Sequence, residues 1–291
     1  MFNQMSDKRG IQLFKETAIA AMYKEFNQLN KGAMPKKTVL LPQDPTKLTR
    51  IENREALKLV NLIKEKRTGT IKGPTCANDS KQRSFLKDGE EFTPSTISLE
   101  DLFISLVIDA HEGRHIATFD IPGAYLHVDI PEYKHILLKL KDEFIEIMCD
   151  VNEEYRKNVV IENGKRVLCI KVVRDIYGCI HSAFLWYDLY TDKLKDMGFE
   201  INPYDKCIEN KTINGNQCTI GWYVYDKNIS HKEAKFVNDM LTIFKEKFWD
   251  LTITRGNSND FIGMYTTITK EKRVEIDMRK KIEEAIEIFR E

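Results

Sequence analysis

Two apolar stretches in this chain each run into an aspartate, and any fold must accommodate both. In "IATFDIPGAY", Ile116–Phe119 lead into Asp120; in "GWYVYDKNIS", Ile220–Tyr225 lead into Asp226, with Lys227-Asn228 read as a turn. Short aliphatic and aromatic runs bounded by turn residues fit buried strands. Each would deliver one carboxylate to the end of a sheet, which is the arrangement a hard cation requires.

The surrounding pattern predicts α+β. Helical periodicity marks residues 11–29, 52–67, about Ser98 to Ala110, Ile176–Met197 and 231–248, with a charged helix closing the chain. Ser98 with Asp101 has the form of a capping box and Gly113 that of a helix stop. Asn163-Gly164 and Asn214-Gly215 each sit between apolar runs, the strongest short-range hairpin signal. "HILLKL", "LTITRG", "FIGMYTTI" and "VEIDM" are further strands. Hairpins interleaved with helices, without regular βαβ alternation, predict an antiparallel sheet with helices packed on one face.

The chain has 291 residues and zero formal net charge, unevenly spread. Residues 1–72 hold 15 Lys and Arg against 7 Asp and Glu, and the other 219 residues hold 30 against 38. A basic N-terminal part suits a polyanion partner, though solvated helix faces give the same count. No apolar run reaches the length of a membrane helix, and "MFNQMSDKRG" lacks the apolar core of a signal peptide. The expectation is an intracellular protein without a membrane partner, its six cysteines reduced.

"HEGRH", residues 111–115, matches the helix-borne zinc motif H-E-x-x-H. On that match, a zinc hydrolase using His111, Glu112 and His115 is one alternative. The context opposes it, because Gly113 is a helix stop and "HIATFD" turns to strand.

Order and spacing point elsewhere. "FDIPGAY" precedes "IYGCIHSAFLWY", then "YVYD", then "FIGM". This series resembles the reverse transcriptase of copia-type LTR retrotransposons. There the motifs read D-x-x-x-A-[FY], Y-G-x-x-x-[SA]-x-x-x-W-Y, Y-V-D-D and F-[LI]-G-M. "LKLVNLIKEKRTGTIKG" and "LTITRGNSNDFIGM" also resemble the copia-type polyprotein, and the likeness covers almost the whole chain.

The resemblance implies a right-hand polymerase with fingers and palm. Residues 1–50 would be a basic helix and connector, 51–265 the fingers and palm core, and 266–291 a truncated start of the thumb or connection. Two magnesium ions would be the cofactors. The partners would be an RNA or DNA template with its primer, deoxynucleoside triphosphates, and the other regions of a polyprotein. The location would be the cytoplasm or a virus-like particle. Asp120 would bridge both metals, with Asp226 and the carbonyl of Ile121 as further ligands. Lys72, Tyr125 and Gly178 would serve the nucleotide, Tyr125 by excluding a ribose 2′-hydroxyl. Phe261, Gly263 and Met264 would grip the primer.

The chain departs from the family at two places. Tyr225 stands where Y-V-D-D has its first aspartate, and Pro74 stands where relatives commonly have an arginine for the triphosphate. Tyrosine is neutral near pH 7, with a pKa of about 10, and cannot replace the charge. These departures imply an impaired enzyme or a nucleic-acid-binding relic without turnover.

Overall fold

The computed structural model describes residues 4–32, 38–65, 69–80, 94–141, 143–224 and 226–290. The chain divides into two compact units: Phe2–Phe92 with Tyr125–Ala183, and Thr93–Ala124 with Phe184–Glu291. Among the described residues, no helix is long and apolar enough to cross a membrane.

The first unit comprises β1 (Gln4–Ser6), α1 (Asp7–Phe14), α2 (Glu16–Lys31), β2 (Leu40–Gln43), α3 (Arg50–Glu55), β3 (Leu59–Glu65), β4 (Ile71–Lys72) and β5 (Thr75–Ala77). It continues with β7 (Ile136–Lys141), α5 (Glu143–Val151), β8 (Val160–Glu162) and β9 (Lys165–Val172). Strand β3 pairs antiparallel with β1, β4 and β5, and β9 pairs with β2, β7 and β8. Met22, Phe26, Ile63, Leu138, Met148 and Leu168 are all fully buried in its core.

Three helix expectations change here. The helix expected over 11–29 is two helices, broken at Lys15 where φ is +48°. The helix expected over 52–67 ends after six residues, although Thr49 and Glu52 form a full capping box. The next element is β3, whose residues alternate between buried and half-buried. Period two, not 3.6, fits "LVNLI". Buried Asn61 then donates to Gly73 O at 2.6 Å and Thr75 Oγ1 at 2.7 Å, tying β3 to the segment that carries Lys72. The third helix, expected from Ile176, starts at Ser182. Asp175 accepts from the Ile176 amide and the Ser182 hydroxyl, and Gly178 has φ +89°.

Gly178 is confined by backbone. A Cβ there would lie 2.0 Å from Ala77 O, next to the bond from Ala77 N to Tyr177 O. Both the close approach and the left-handed φ exclude a side chain. Gly178→Ala should therefore destabilise the chain by roughly 2–4 kcal/mol in denaturant titrations, from strain and overpacking together.

The second unit contains α4 (Leu99–Glu112), β6 (His115–Asp120), α6 (Ser182–Asp196), β10 (Glu200–Ile201), β11 (Ile208–Ile213), β12 (Asn216–Tyr223) and β13 (Asp226–His231). It ends with α7 (Ala234–Phe248), β14 (Thr252–Arg255), β15 (Ser258–Phe261), β16 (Met264–Ile268), β17 (Val274–Asp277) and α8 (Arg279–Arg290). Its main sheet runs β10-β11-β12-β13-β6-β14, antiparallel at every pairing. Strands β15 to β17 form a separate antiparallel meander. Helices and antiparallel sheets together make the chain α+β, as the pattern predicts.

Helices α6 and α7 cover one face of the main sheet. Phe119 meets Phe244 at 5.0 Å, and Tyr190 meets Trp222 at 5.0 Å. Helix α4 lies on the other face, where the Ser230 hydroxyl donates to buried Asp109 at 2.6 Å. Ser98 caps α4 through the Asp101 amide, and Gly113 ends it at φ +66°.

Glu209 of β11 is fully buried, and among the described residues neither carboxylate oxygen has a hydrogen-bond partner. Burial raises its pKa to about 8, opposed by Lys195. An acid whose folded pKa exceeds its unfolded one keeps a proton that the unfolded chain has lost. Stability therefore falls as pH rises from about 4.5 towards 8. Glu209→Gln should raise the melting temperature at pH 7–8, change it little at pH 4, and flatten the pH dependence between.

Candidate active site

The carboxylates meet through strand register. In the pairing of β13 with β6, Asp226 lies directly opposite Asp120, followed by Lys227 opposite Phe119 and Asn228 opposite Thr118. On its other side, Asp120 faces Thr252 of β14. Alternation puts Asp120 and Asp226 on the same sheet face as Thr118 and Asn228. Both aspartates are half-buried.

An open cavity of about 110 Å³ lies over them, bounded also by Lys227, Thr252, Thr254, Phe261 and Asp260. Asp260 of β15 is a third carboxylate acting on the site. Burial, then Asp120 and Asp260, raise the pKa of Asp226 above the ordinary aspartate range, while Lys227 lowers it. Several carboxylates close together fit a hard cation held by carboxylates and water. Among the described residues, no group of three or more His, Cys, Asp or Glu is arranged as a metal cluster. Asp120 and Asp226 are the facing carboxylates that a cation over this sheet end would meet.

The hairpin that carries Asp226 is tight. Tyr223 pairs with Asp226, and Val224 lies in the turn between them. The turn expected at Lys227-Asn228 is instead the interior of β13, where both residues are buried. Tyr225 itself lies outside the described residues. Val224 has φ +51°, a left-handed conformation that costs a non-glycine residue about 1–2 kcal/mol. Its carbonyl accepts from Trp186 Nε1 at 2.8 Å and Lys227 Nζ at 3.1 Å. The turn is thus held from the helix-covered face by the tryptophan of "FLWY" and by a buried lysine.

Lys227 is 0 % exposed, with its ammonium 5.0 Å from the ring centres of both Trp186 and Tyr190. Burial holds its pKa well below the ordinary lysine value, while Asp120 and Asp226 draw it back up.

A two-residue turn lies at the end of β15. Phe261 pairs with Met264, and Ile262 and Gly263 between them have φ +54° and +74°. Phe261 and Met264 are buried, and Ile262 and Gly263 are half-buried, with the Lys281 side chain lying against Gly263.

A family model described as reverse transcriptase (RNA-dependent DNA polymerase) matches residues 63–287. The chain belongs to the reverse transcriptase family. No curated protein matches its sequence. Among solved structures, it is similar to a foamy viral protease-reverse transcriptase in complex with double-stranded DNA, at 13 % identity and TM-score 0.45, covering 84 % of this chain and 33 % of that one. Telomerase from Candida albicans, with a fragment of telomeric RNA, is 10 % identical at TM-score 0.42, covering 91 % and 50 %. Apo telomerase from Candida tropicalis is 10 % identical at TM-score 0.45, covering 91 % and 60 %. The chain thus spans from a third to three fifths of the length of these proteins.

The other residues expected to serve this reverse transcriptase family member have varied surroundings. Ile121, 1 % exposed, continues from Asp120 into the core. Lys72 of β4 is exposed, and its charge acts on Glu25 of α2. Tyr125 is buried, with its ring 4.6 Å from that of Tyr177. The space left by Gly178 is taken by the chain's own backbone at Ala77.

The zinc motif is broken. Helix α4 ends at Glu112, Gly113 is left-handed, and His115 opens β6, so the two histidines do not share a helix face. Glu112 instead pairs with Arg114 at 2.8 Å.

Asp260 and Lys227 escape sequence reasoning. The signal for Asp260 is an acid beside "FIGM" that breaks the apolar run. For Lys227, a charged residue in a strand continuing the hairpin reads as turn chemistry.

Because Asp226 is raised, its charge opposes folding in the metal-free chain, and stability falls as pH rises through the window between its unfolded and folded values. Asp226→Asn should raise the melting temperature in EDTA at neutral pH and leave it unchanged at low pH. That is the usual trade of a functional charge for stability.

Proposed function

We propose that this chain is the reverse transcriptase domain of a copia-type retrotransposon, built for template-directed DNA synthesis and impaired at Tyr225. The observation that carries this reading is Asp226 opposite Asp120 on adjacent strands, directly after the tyrosine that replaces the family's hairpin aspartate.

Magnesium held there would lower the barrier to attack by a primer 3′-oxygen on the α-phosphate of a nucleotide and steady the departing pyrophosphate. Of the family's hairpin carboxylates this chain lacks the one that Tyr225 replaces, while Asp260 bounds the same cavity. Asp120 and Asp226, with the carbonyl of Ile121, suit one ion. Their work is to fix that ion on a rigid sheet end and to keep their oxygens free of competing protons. Tyr125, braced by Tyr177, would exclude a ribose 2′-hydroxyl, and exposed Lys72 would meet the triphosphate. The Ile262-Gly263 turn, anchored by buried Phe261 and Met264, would carry the primer. The partners are an RNA or DNA template with its primer, deoxynucleoside triphosphates, and the remainder of a polyprotein.

The same tyrosine supports a second reading: a nucleic-acid-binding relic without turnover. Primer extension on poly(rA) with magnesium or manganese separates the two. An impaired polymerase incorporates slowly, and Tyr225→Asp raises its turnover about a hundredfold. A relic binds primer–template in a salt-dependent way and incorporates nothing in either form. Robust extension by the native chain, unchanged by Tyr225→Asp, would contradict both.

A further inference from the structure

Helix α4 is apolar on two faces, and the main sheet covers only one. Leu102, Leu106 and Ala110 are buried, the two leucines beside Ile116 and Thr118 of β6. On the outer face, Leu99 is 52 % exposed, Phe103 38 %, Ile104 56 %, Val107 58 % and Ile108 37 %. A surface helix ordinarily turns charged and polar side chains to water, and a helix that is hydrophobic all round is ordinarily covered all round. At roughly 200 Å² for a large apolar side chain, these fractions leave on the order of 500 Å² of apolar surface on one helix.

The order of residues on the outer face selects its partner. Glu100, Ile104, Val107 and His111, all exposed, run along its midline at spacings of four, three and four. That is the spacing of a coiled-coil seam. Read in reverse, the seam is its own complement. In an antiparallel pair of α4 helices, with a two-fold axis level with Ser105 and Leu106, Ile104 meets Val107 of the second copy and Phe103 meets Ile108. At each end Glu100 meets His111, so that a carboxylate receives an imidazole N–H. A parallel pair would instead set Glu100 against Glu100. The C-terminal end of the seam is anchored, because Lys272 donates to His111 O at 2.7 Å while the His111 side chain stays exposed.

We propose that the outer face of α4 is a self-association surface whose occupant is a second copy of this chain, packed antiparallel across a two-fold axis. Two such faces together remove on the order of 1,000 Å² from water, at the low end for a specific interface. The dimer is therefore weak, with a dissociation constant in the micromolar range.

Sedimentation equilibrium of the full chain across the micromolar range tests this. The native chain should dimerise. Val107→Glu, at an exposed position, should fold normally by circular dichroism and weaken the dimer roughly tenfold or more, because its carboxylate is buried against Ile104 of the second copy. His111→Glu should also weaken it, since two carboxylates then meet at each end. Adding Glu100→Lys to His111→Glu should restore native strength, an outcome that a merely sticky patch does not give.

A native chain that stays monomeric throughout overturns the proposal and leaves α4 to a different partner. A dimer untouched by Val107→Glu lies on another surface and overturns it as well. A dimer that Val107→Glu weakens but the charge exchange does not restore overturns the antiparallel two-fold. Should Val107→Glu not fold, Ile104→Gln takes its place, and should neither fold, the charge exchange decides alone, because it alters no apolar residue.

Discussion

The candidate site depends on the register of one strand pair. Strand β13 lies on β6 so that Asp226 faces Asp120. Side chains alternate with a period of two, so a slip of one residue would send the carboxylates to opposite faces and bring Lys227 onto the cavity side. The register is fixed at both ends. Towards the strand ends, it is set by the tight turn after Tyr223, where Tyr223 pairs with Asp226. Along the faces, it is set by Phe119 against Phe244 on one side and by Ser230 against Asp109 on the other. Burial of both faces makes the correct pairing far better than its neighbours.

The turn is costly, and its surroundings offset the cost. Val224 occupies a left-handed conformation that its β-branched side chain disfavours, and its carbonyl takes two donors, Trp186 and Lys227. Strain held by an over-determined environment is typical of functional sites. Here the tryptophan of the helix motif and the hairpin motif, widely separated in sequence, form one mechanical unit. Their joint appearance in the chain therefore has a physical reason.

Much of the fold is legible in the sequence because its signals are local. Asn163-Gly164 and Asn214-Gly215 turn where expected, with positive φ at all four residues. Ser98 and Gly113 bound α4 through side-chain capping and a left-handed glycine. Asp120 and Asp226 are visible as charges ending apolar runs. The differences arise where tertiary contacts decide. "LVNLIKE" carries helix formers, yet it is a strand because its neighbours complete a sheet and Asn61 bonds across it. Lys227 reads as a turn residue because sequence does not show two aromatic rings and a carbonyl waiting beneath a sheet. Asp260 joins the cavity only through the folding of a separate meander. The glycine of "YGCIH" suggests room for a nucleotide, and the chain's own backbone at Ala77 uses that room.

Central to this account is the cation site formed by two facing aspartates, and a manganese titration of Asp120→Asn and of the Asp120→Asn, Asp226→Asn double variant tests it most directly. The account predicts one bound ion in the native chain, a large loss of affinity in the single variant and none bound in the double variant, with folding intact throughout. Manganese bound with native affinity in the double variant would contradict it.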